Sequence, residues 1–229
     1  MRGHEQWRRF IFVVAACSLA LSGGVARAAI IATSPTLPPL DAPFVSAGGV
    51  GCFPAAGVCV QPGSLTFDSV ASTVFVLAGE DIVANASYQG TLTTLSNTPI
   101  GPITLSGTVE ELVLGRTFST QTGTWSTELV AMSLTGPVLG HTLTLALGST
   151  TPSTGMASIE AIPEDLFRID SFFDIFVQLS LDSVPPLNAT RGPIHAELVP
   201  AGVPEPSVVT LLAAALLGLV GVQWRRRAH

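Results

Sequence analysis

Residues 167–181 read FRIDSFFDIFVQLSL, and this stretch decides the fold class of the chain. From Ile169 onward the odd positions are apolar except for Ser171, while the even positions alternate polar residues with Phe172 and Phe176. A period of two sustained to residue 181 is typical of a β-strand with one face on a core, and it disfavours a helix. The sequence therefore predicts a long strand here, whose two outer phenylalanines need a cover.

The rest of the body repeats this pattern in shorter segments. Glycine and proline interrupt it at short intervals, with a turn expected at Gly136-Pro137, and residues 142–147 (TLTLAL) alternate threonine with apolar side chains. Further strands are predicted at residues 64–70, 73–77, 81–94, 103–114, 124–134, 155–161 and 194–199. Many short strands without a strong helix predict an all-β antiparallel β-sandwich, with a β-barrel as the alternative.

The composition excludes several classes of protein. Apolar residues make up 47% of the 229 residues and charged residues only 11%, with a formal net charge of −6. Globular proteins usually carry about 25% charged residues, so the chain is unlike a cytosolic enzyme. Its hydrophobicity excludes an intrinsically disordered chain. Residues 29–203 hold three arginines against fourteen acidic residues, which excludes a basic nucleic-acid binder.

The N-terminus has the parts of a secretory signal peptide. Arginines within the first nine residues precede an apolar run at residues 10–21, and Ala26 and Ala28 supply a small-x-small cleavage pattern. We expect cleavage after Ala28. Two alternatives stay open, namely an uncleaved anchor and a lipoprotein whose first residue is a lipidated Cys17.

The C-terminus combines a proline-containing triplet, an apolar run and a basic cluster. The triplet is Pro204-Glu205-Pro206, the run is VVTLLAAALLGLVGVQW at residues 208–224, and the cluster is Arg225-Arg226-Arg227. At 1.5 Å per residue the run spans about 25 Å, which is the low end for a transmembrane helix. The positive-inside rule keeps the arginines in the cytoplasm and places the body on the outer side, in agreement with the signal peptide.

This tail resembles the PEP-CTERM sorting signal of Gram-negative bacteria. The resemblance implies that an exosortase, an integral-membrane transpeptidase-like enzyme, cleaves near residues 204–206, and that the protein reaches the cell surface or extracellular matrix. A permanent C-terminal anchor stays open as the alternative. The body is similar to a recurrent domain of PEP-CTERM proteins through residues 123–132 and 166–181. No activity of that domain is carried over.

The expected organisation has four parts. They are a signal peptide (1–28), an extended N-terminal segment with a disulfide loop (29–62), a β-sandwich body (63–199) and a sorting signal (200–229) with its transmembrane helix at 208–224. The mature chain has two cysteines, Cys52 and Cys59. In an oxidising compartment such a pair most simply forms a disulfide. A metal site would need further ligands nearby, and a redox-active pair is more often C-x-x-C.

The sequence indicates no catalytic, cofactor-binding or metal-binding residues. The chain has no hydrolase elbow, zinc-protease or P-loop motif. His141 and His195 are interpreted as surface histidines, although a Ser-His-Asp assembly stays open. Asp170 and Asp174 share a strand face about 13 Å apart, too far for a glycosidase pair. The acidic loops are interpreted as solvated surface because they lack the D-x-D-x-D-G spacing, and calcium binding stays open as the alternative.

The sequence leaves three functional hypotheses. The first is a non-enzymatic exported protein of the cell surface or matrix, whose partners are the exosortase, the inner membrane before cleavage and extracellular polysaccharide. The alternative is a carbohydrate-binding or adhesive module, for which Trp125 and Tyr88 are the candidate stacking residues of the mature body. The apolar neighbours of Trp125 favour core packing instead, and one Trp and one Tyr are few for such a module. The third is a secreted hydrolase. No nucleic acid and no cofactor is expected.

Overall fold

The computed structural model describes residues 29–48, 51–182, 185–190 and 192–200. Within these ranges the chain is all-β, with fourteen strands, one short 3-10 helix (Pro54–Ala56) and no α-helix. Every strand pair is antiparallel, so the expected all-β antiparallel class is confirmed. No helix in the described ranges is long and apolar enough to cross a membrane. The predicted signal peptide and the predicted transmembrane helix lie outside those ranges.

The strands are numbered here in chain order. They are β1 (Ile30–Ala32), β2 (Pro43–Gly48), β3 (Gly51–Phe53), β4 (Val58–Val60), β5 (Ser64–Val76), β6 (Gly79–Thr94), β7 (Pro99–Leu114), β8 (Gly123–Val138), β9 (His141–Leu147), β10 (Ser153–Ile162), β11 (Leu166–Ile175), β12 (Val177–Leu181), β13 (Leu187–Asn188) and β14 (Ile194–Leu198).

Eight strands close into a hydrogen-bonded ring. Its order is β2, β5, β6, β7, β8, β10, β11 and β14, and β14 pairs again with β2. Strands β9 and β12 pair with each other, and β9 also pairs with β8, which continues the same sheet. The strands thus form one closed sheet, as in the barrel alternative, and not the two separate sheets of a sandwich. The closure follows from strands of up to sixteen residues that pair along both edges and bend at bulges.

The strand predicted at residues 167–181 is present as β11 and β12, interrupted at Phe176. The Phe176 N–H donates to Ser153 Oγ, and its carbonyl accepts from the Gly148 N–H, so these two residues replace the ladder at the interruption. The odd-numbered side chains from Ile169 to Leu179 are buried, as the alternation predicted. Phe172 is half-buried, and the His195 ring lies 5.3 Å from its ring and covers it.

The core fills the inside of the ring. Phe44 of β2 contacts Phe67 of β5 edge-on at 5.5 Å and lies 5.2 Å from Phe173 of β11, so one aromatic group joins three strands. Buried aliphatic side chains of β6, β7 and β8, such as Ile82 and Leu105, complete the cluster. Burial of this apolar surface is the main stabilising contribution to the fold.

Two expected boundaries differ from the structure. Residues 29–62 are not a separate segment, because β1 pairs with β11, β2 with β5 and β14, and β4 with β6. The turn expected at Gly136-Pro137 lies instead at Leu139 and Gly140, which both have positive φ. Strand β8 tolerates Pro137 because its pairing with β7 ends at Thr135, which leaves one edge of β8 open there.

Candidate functional site

Cys52 and Cys59 form the predicted disulfide. The two residues face each other in the β3–β4 hairpin, with their Cα atoms 4.0 Å apart, and both are buried. The Thr190 N–H donates to the Cys52 carbonyl at 2.9 Å. The cross-linked hairpin therefore also anchors the segment that follows β13.

The structure brings His195 and Asp174 together across β14 and β11. His195 Nδ1 lies 2.7 Å from Asp174 Oδ1, and its Nε2 lies 3.1 Å from Glu197 Oε1. The hydrogen bond with Asp174 raises the pKa of His195, with a smaller contribution from Glu197 and against the effect of desolvation. Because both ring nitrogens face carboxylates, His195 has no nitrogen left for a serine hydroxyl. The Ser-His-Asp hypothesis is not supported at His195.

The second histidine lies in a different pair. His141 Nδ1 is 2.6 Å from Asp182 Oδ2, and Asp182 Oδ1 accepts a hydrogen bond from the Thr142 N–H. The Thr142 N–H and the His141 side chain hold the pKa of Asp182 below its usual value. This exposed pair joins the start of β9 to the residue that follows β12.

The two candidate carboxylates of β11 do not converge. Asp170 lies opposite Ser158 of β10, whereas Asp174 lies opposite Thr154 of β10 and His195 of β14. The register of β11 against β10 has no bulge between them, so their separation remains about 13 Å, as expected from the sequence. A glycosidase pair is therefore not formed by these two residues.

The candidate stacking aromatics are both buried. Trp125 is 8% exposed and Tyr88 is 6% exposed. The Tyr88 hydroxyl donates to the Gln61 carbonyl at 2.8 Å, and burial raises its pKa to about 12. Neither side chain offers a ring face to a sugar, so the carbohydrate alternative does not rest on them.

A buried ionic cluster lies inside the ring, between β6, β7 and the loop after β7. Arg116 forms an ion pair with Glu80 and also donates to the carbonyls of Pro35 and Ser119. Its guanidinium carbon lies 5.3 Å from the centre of the Trp125 ring, a cation–π contact. The cluster thus ties the segment before β2 and the loop after β7 to the core.

Glu111 is the second carboxyl of this cluster and has no cation of its own. It lies on β7 opposite Ile82 of β6 and Leu129 of β8, and its Oε2 has no hydrogen-bond partner in the structure. Burial, and then the charge of Glu80, raise the pKa of Glu111 to about 8, while Arg116 acts in the opposite direction. Burial therefore favours the protonated form of Glu111.

The sequence reasoning missed this cluster, although a signal was present. Val109, Glu111 and Val113 share one face of β7, and that face is the buried one. A glutamate at a core position of an alternating strand indicates a buried acid, and a buried acid requires a partner or a proton. The three side chains of the cluster are at most 2% exposed, so the cluster is internal. Elsewhere in the described ranges, no group of three or more His, Cys, Asp or Glu side chains can hold a metal ion.

A polar groove lies on the surface between β8 and the loop that joins β9 to β10. Its volume is about 350 Å³. Glu128 contributes a carboxylate, and Ser149, Thr150 and Thr151 contribute hydroxyls. Carboxylates and hydroxyls in an open groove can hydrogen-bond the hydroxyl groups of a polar ligand.

Comparison of the chain with protein-family models, with curated proteins and with solved structures finds no match in any of the three. The function is therefore argued from the residues of this chain.

Proposed function

We propose that this protein is an exported, non-enzymatic component of the cell surface or extracellular matrix, sorted and cleaved through its C-terminal PEP-CTERM-like signal. The observation that carries the proposal is the order of features along the chain. An N-terminal signal peptide precedes the β-rich body, and Pro204-Glu205-Pro206, an apolar run and Arg225-Arg226-Arg227 follow it. Each feature alone is common, but this order at both ends of one chain is specific to a sorted protein.

The disulfide supports the export step. Cys52 and Cys59 are the two cysteines of the mature chain, and they are paired and buried. Disulfides persist in oxidising compartments such as the periplasm and the cell surface, and they are rare in the cytosol. The body is thus chemically suited to the outer side of the inner membrane.

The proposed route has three steps. The signal peptide directs translocation and is removed after Ala28. The apolar run at residues 208–224 then holds the chain in the inner membrane, with the arginine cluster in the cytoplasm and the body in the periplasm. An exosortase finally cleaves near residues 204–206 and releases the body to the cell surface or matrix.

The pairing of the titratable side chains supports a non-enzymatic role. His195 is held by Asp174 and Glu197, His141 by Asp182, and Arg116 by Glu80. Glu80, Glu111 and Arg116 are enclosed in the core. A catalytic acid or nucleophile has to reach its substrate, which the enclosed groups cannot do, and each of these two histidines is held by a carboxylate.

The intact mass of the protein, measured in fractions of cells with and without the exosortase gene, tests this proposal. We expect a species that begins at Ala29, ends between residues 203 and 206, lacks two hydrogens because of the disulfide, and lies outside the inner membrane. Without the exosortase gene, the tail remains on the protein in the inner membrane. A full-length tail in the inner membrane of both strains would contradict the proposal.

Two variants test whether cleavage depends on the triplet itself and not on the loss of prolines in general. Replacing Pro204, Glu205 and Pro206 by alanine is expected to abolish cleavage. The double variant Pro185→Ala/Pro186→Ala removes two exposed prolines outside the tail and is expected to be cleaved normally. Equal cleavage of both variants would show that the triplet is not part of the signal.

A second candidate function is the binding of extracellular polysaccharide at the groove that includes Glu128. The observation that favours it is an open groove lined by one carboxylate and several hydroxyls. Polysaccharide from the matrix of the same cells is expected to retain the wild-type protein and to retain Thr150→Ala/Thr151→Ala less. The control Thr104→Ala/Thr108→Ala removes exposed hydroxyls from β7 and is expected to bind like the wild type. Equal retention of both variants would contradict a role of the groove.

A further inference from the structure

The second half of β5 is an open strand edge. Strand β5 pairs with β6 along its whole length, from Ser64 opposite Gln89 to Val76 opposite Gly79. Its other edge pairs with β2 only at residues 64–66, and the Asp41 N–H donates to the Phe67 carbonyl just beyond. From residue 68 to residue 76 this edge has no strand partner within the described ranges. Its backbone groups there are available to a further strand.

This edge is apolar and exposed. All residues from 68 to 78 are exposed, and the large apolar side chains among them are those of Val70, Val74, Phe75, Val76 and Leu77. Residues 69–78 contain no charged residue and no proline. Natural edge strands are usually protected by lysine, by proline or by bulges. The pairing of β5 with β6 shifts register twice, between Phe67 and Ser69 and between Val70 and Ser72. Residues 72–76 pair regularly with β6, so no bulge, lysine or proline protects their open edge.

We propose that this edge pairs with the same edge of a second copy of the chain. The two β5 strands run antiparallel, with Val74 on the two-fold axis. In this register Thr73 lies opposite Phe75 of the second copy, and Ser72 lies opposite Val76 of the second copy. Directly opposite residues of an antiparallel pair lie on the same face of the sheet. Residues 73 and 75 are two positions apart and residues 72 and 76 are four apart, so each pair lies on one face.

The charge distribution directs a contact between two copies to this edge. The body is acidic, so most surfaces of two copies repel each other. On the edge strand, the acidic residue nearest to Val74 is Asp68, six positions away and before the regular ladder. Two copies can therefore align residues 72–76 without placing one carboxylate of this strand opposite another. The contact is isologous, so each pair forms twice and the assembly closes as a dimer.

The remaining open edges are less suited to the same contact. Strands β1, β3 and β13 have only two or three residues each, whereas the open part of β5 extends over residues 68–76. The part of β7 that lacks a β8 partner, residues 99–105, contains Pro99 and Pro102, which cannot donate a backbone hydrogen bond. A longer edge forms more backbone hydrogen bonds and buries more apolar side chains. The inference does not depend on the sorting signal, because it uses only residues of the folded body.

Disulfide trapping in cells that export the full chain tests the register. Opposite residues of an antiparallel pair have Cα atoms about 4.5–5.5 Å apart, which a disulfide can bridge. We expect Val74→Cys to give a reducible dimer on a non-reducing gel, with the self-cross-link confirmed by mass. Val130→Cys is the matched control, because Val130 is 51% exposed and Val74 is 55% exposed. This control is expected to give no dimer.

A second pair of variants tests the register more finely. Ser72→Cys alone is expected to give no dimer, because Ser72 lies opposite Val76 of the second copy and not opposite itself. Ser72→Cys combined with Val76→Cys is expected to restore the dimer. A dimer from Ser72→Cys alone would overturn the proposed register.

Sedimentation of the protein purified from the same cells tests the dimer without a cross-link. The wild type and Val130→Lys are expected to be dimers, and Val74→Lys is expected to be a monomer with an unchanged circular dichroism spectrum. The lysine has a partner within its own chain, because Asp81 lies opposite position 74 on β6. A monomeric wild type would overturn the proposal, as would a Val74→Cys protein that cross-links only to a different protein.

Discussion

Arg116 forms its ion pair with Glu80 inside the core, where the side chains are 0% and 2% exposed to solvent. A buried pair contributes little net stability when it is intact, because desolvation of both charges offsets their attraction. Loss of one partner is costly, because the other charge stays buried without compensation. This asymmetry makes Arg116 the most sensitive position among the charged residues described here.

Replacement of Arg116 by methionine is expected to lower the free energy of unfolding by about 3–5 kcal/mol. The variant leaves Glu80 without its cation and removes the donors to the Pro35 and Ser119 carbonyls. Urea unfolding of the purified protein measures the change. The control is Arg168→Met, because the pair of Arg168 with Glu160 is exposed and should contribute less than about 1 kcal/mol. Equal stability of the two variants would contradict the importance of the buried pair.

Glu111 is expected to make the stability of the protein fall as pH rises. Its pKa is about 8 in the folded protein and close to the ordinary 4.5 in the unfolded chain. The folded state therefore holds the proton more strongly between these two values, and stability decreases with pH in that window by about 1.4 kcal/mol per unit. Below the window the contribution is fully present, and above pH 8 no further loss comes from this group.

The variant Glu111→Gln is expected to remove this pH dependence and to be more stable than the wild type above neutral pH. A glutamine keeps the shape of the protonated acid and cannot ionise. Thermal unfolding at a series of pH values measures the effect. Glu110→Gln, on the other face of β7, is expected to keep the wild-type profile. An unchanged profile for Glu111→Gln would show that Glu111 is not the group responsible.

The strands could be predicted from the sequence because their signal is local. Alternation at residues 169–181 and 142–147 determines which side chains face the core, and the structure buries those side chains except Leu147 and Leu181, which are half-buried. The closed ring could not be predicted in this way, since it depends on pairs distant in sequence, such as Phe44 with Leu198. The ion pair of Glu80 and Arg116 is also non-local, with a sequence separation of 36. Glu111 alone carried a local signal, because it occupies a core position of an alternating strand.

The pKa of His195 is expected to lie above the ordinary value of 6.5 because of its hydrogen bond with Asp174. An NMR titration of the imidazole measures it directly. Asp174→Asn is expected to lower this pKa, and Asp182→Asn, which affects the other histidine, is expected to leave it unchanged. Because the folded state raises the pKa of His195, protonation of this side chain stabilises the folded protein. The contribution of His195 is fully present below pH 6.5 and is lost as pH rises through the folded-state pKa. No change in Asp174→Asn would contradict this assignment.

The disulfide of Cys52 and Cys59 is expected to contribute about 2.5 kcal/mol to the free energy of unfolding, from closure of a loop of about eight residues in the unfolded chain. Cys52→Ser/Cys59→Ser measures this contribution by urea unfolding. Reduction of the wild type should give a similar loss, because both treatments open the same loop. The Thr190 N–H donates a hydrogen bond to the Cys52 carbonyl of this hairpin. Amide hydrogen exchange at Thr190 should therefore become faster in the serine variant and in the reduced wild type. If the serine variant were as stable as the oxidised protein, the cross-link would not restrict the unfolded chain. The pair would then be a consequence of export and not a contribution to the stability of the body.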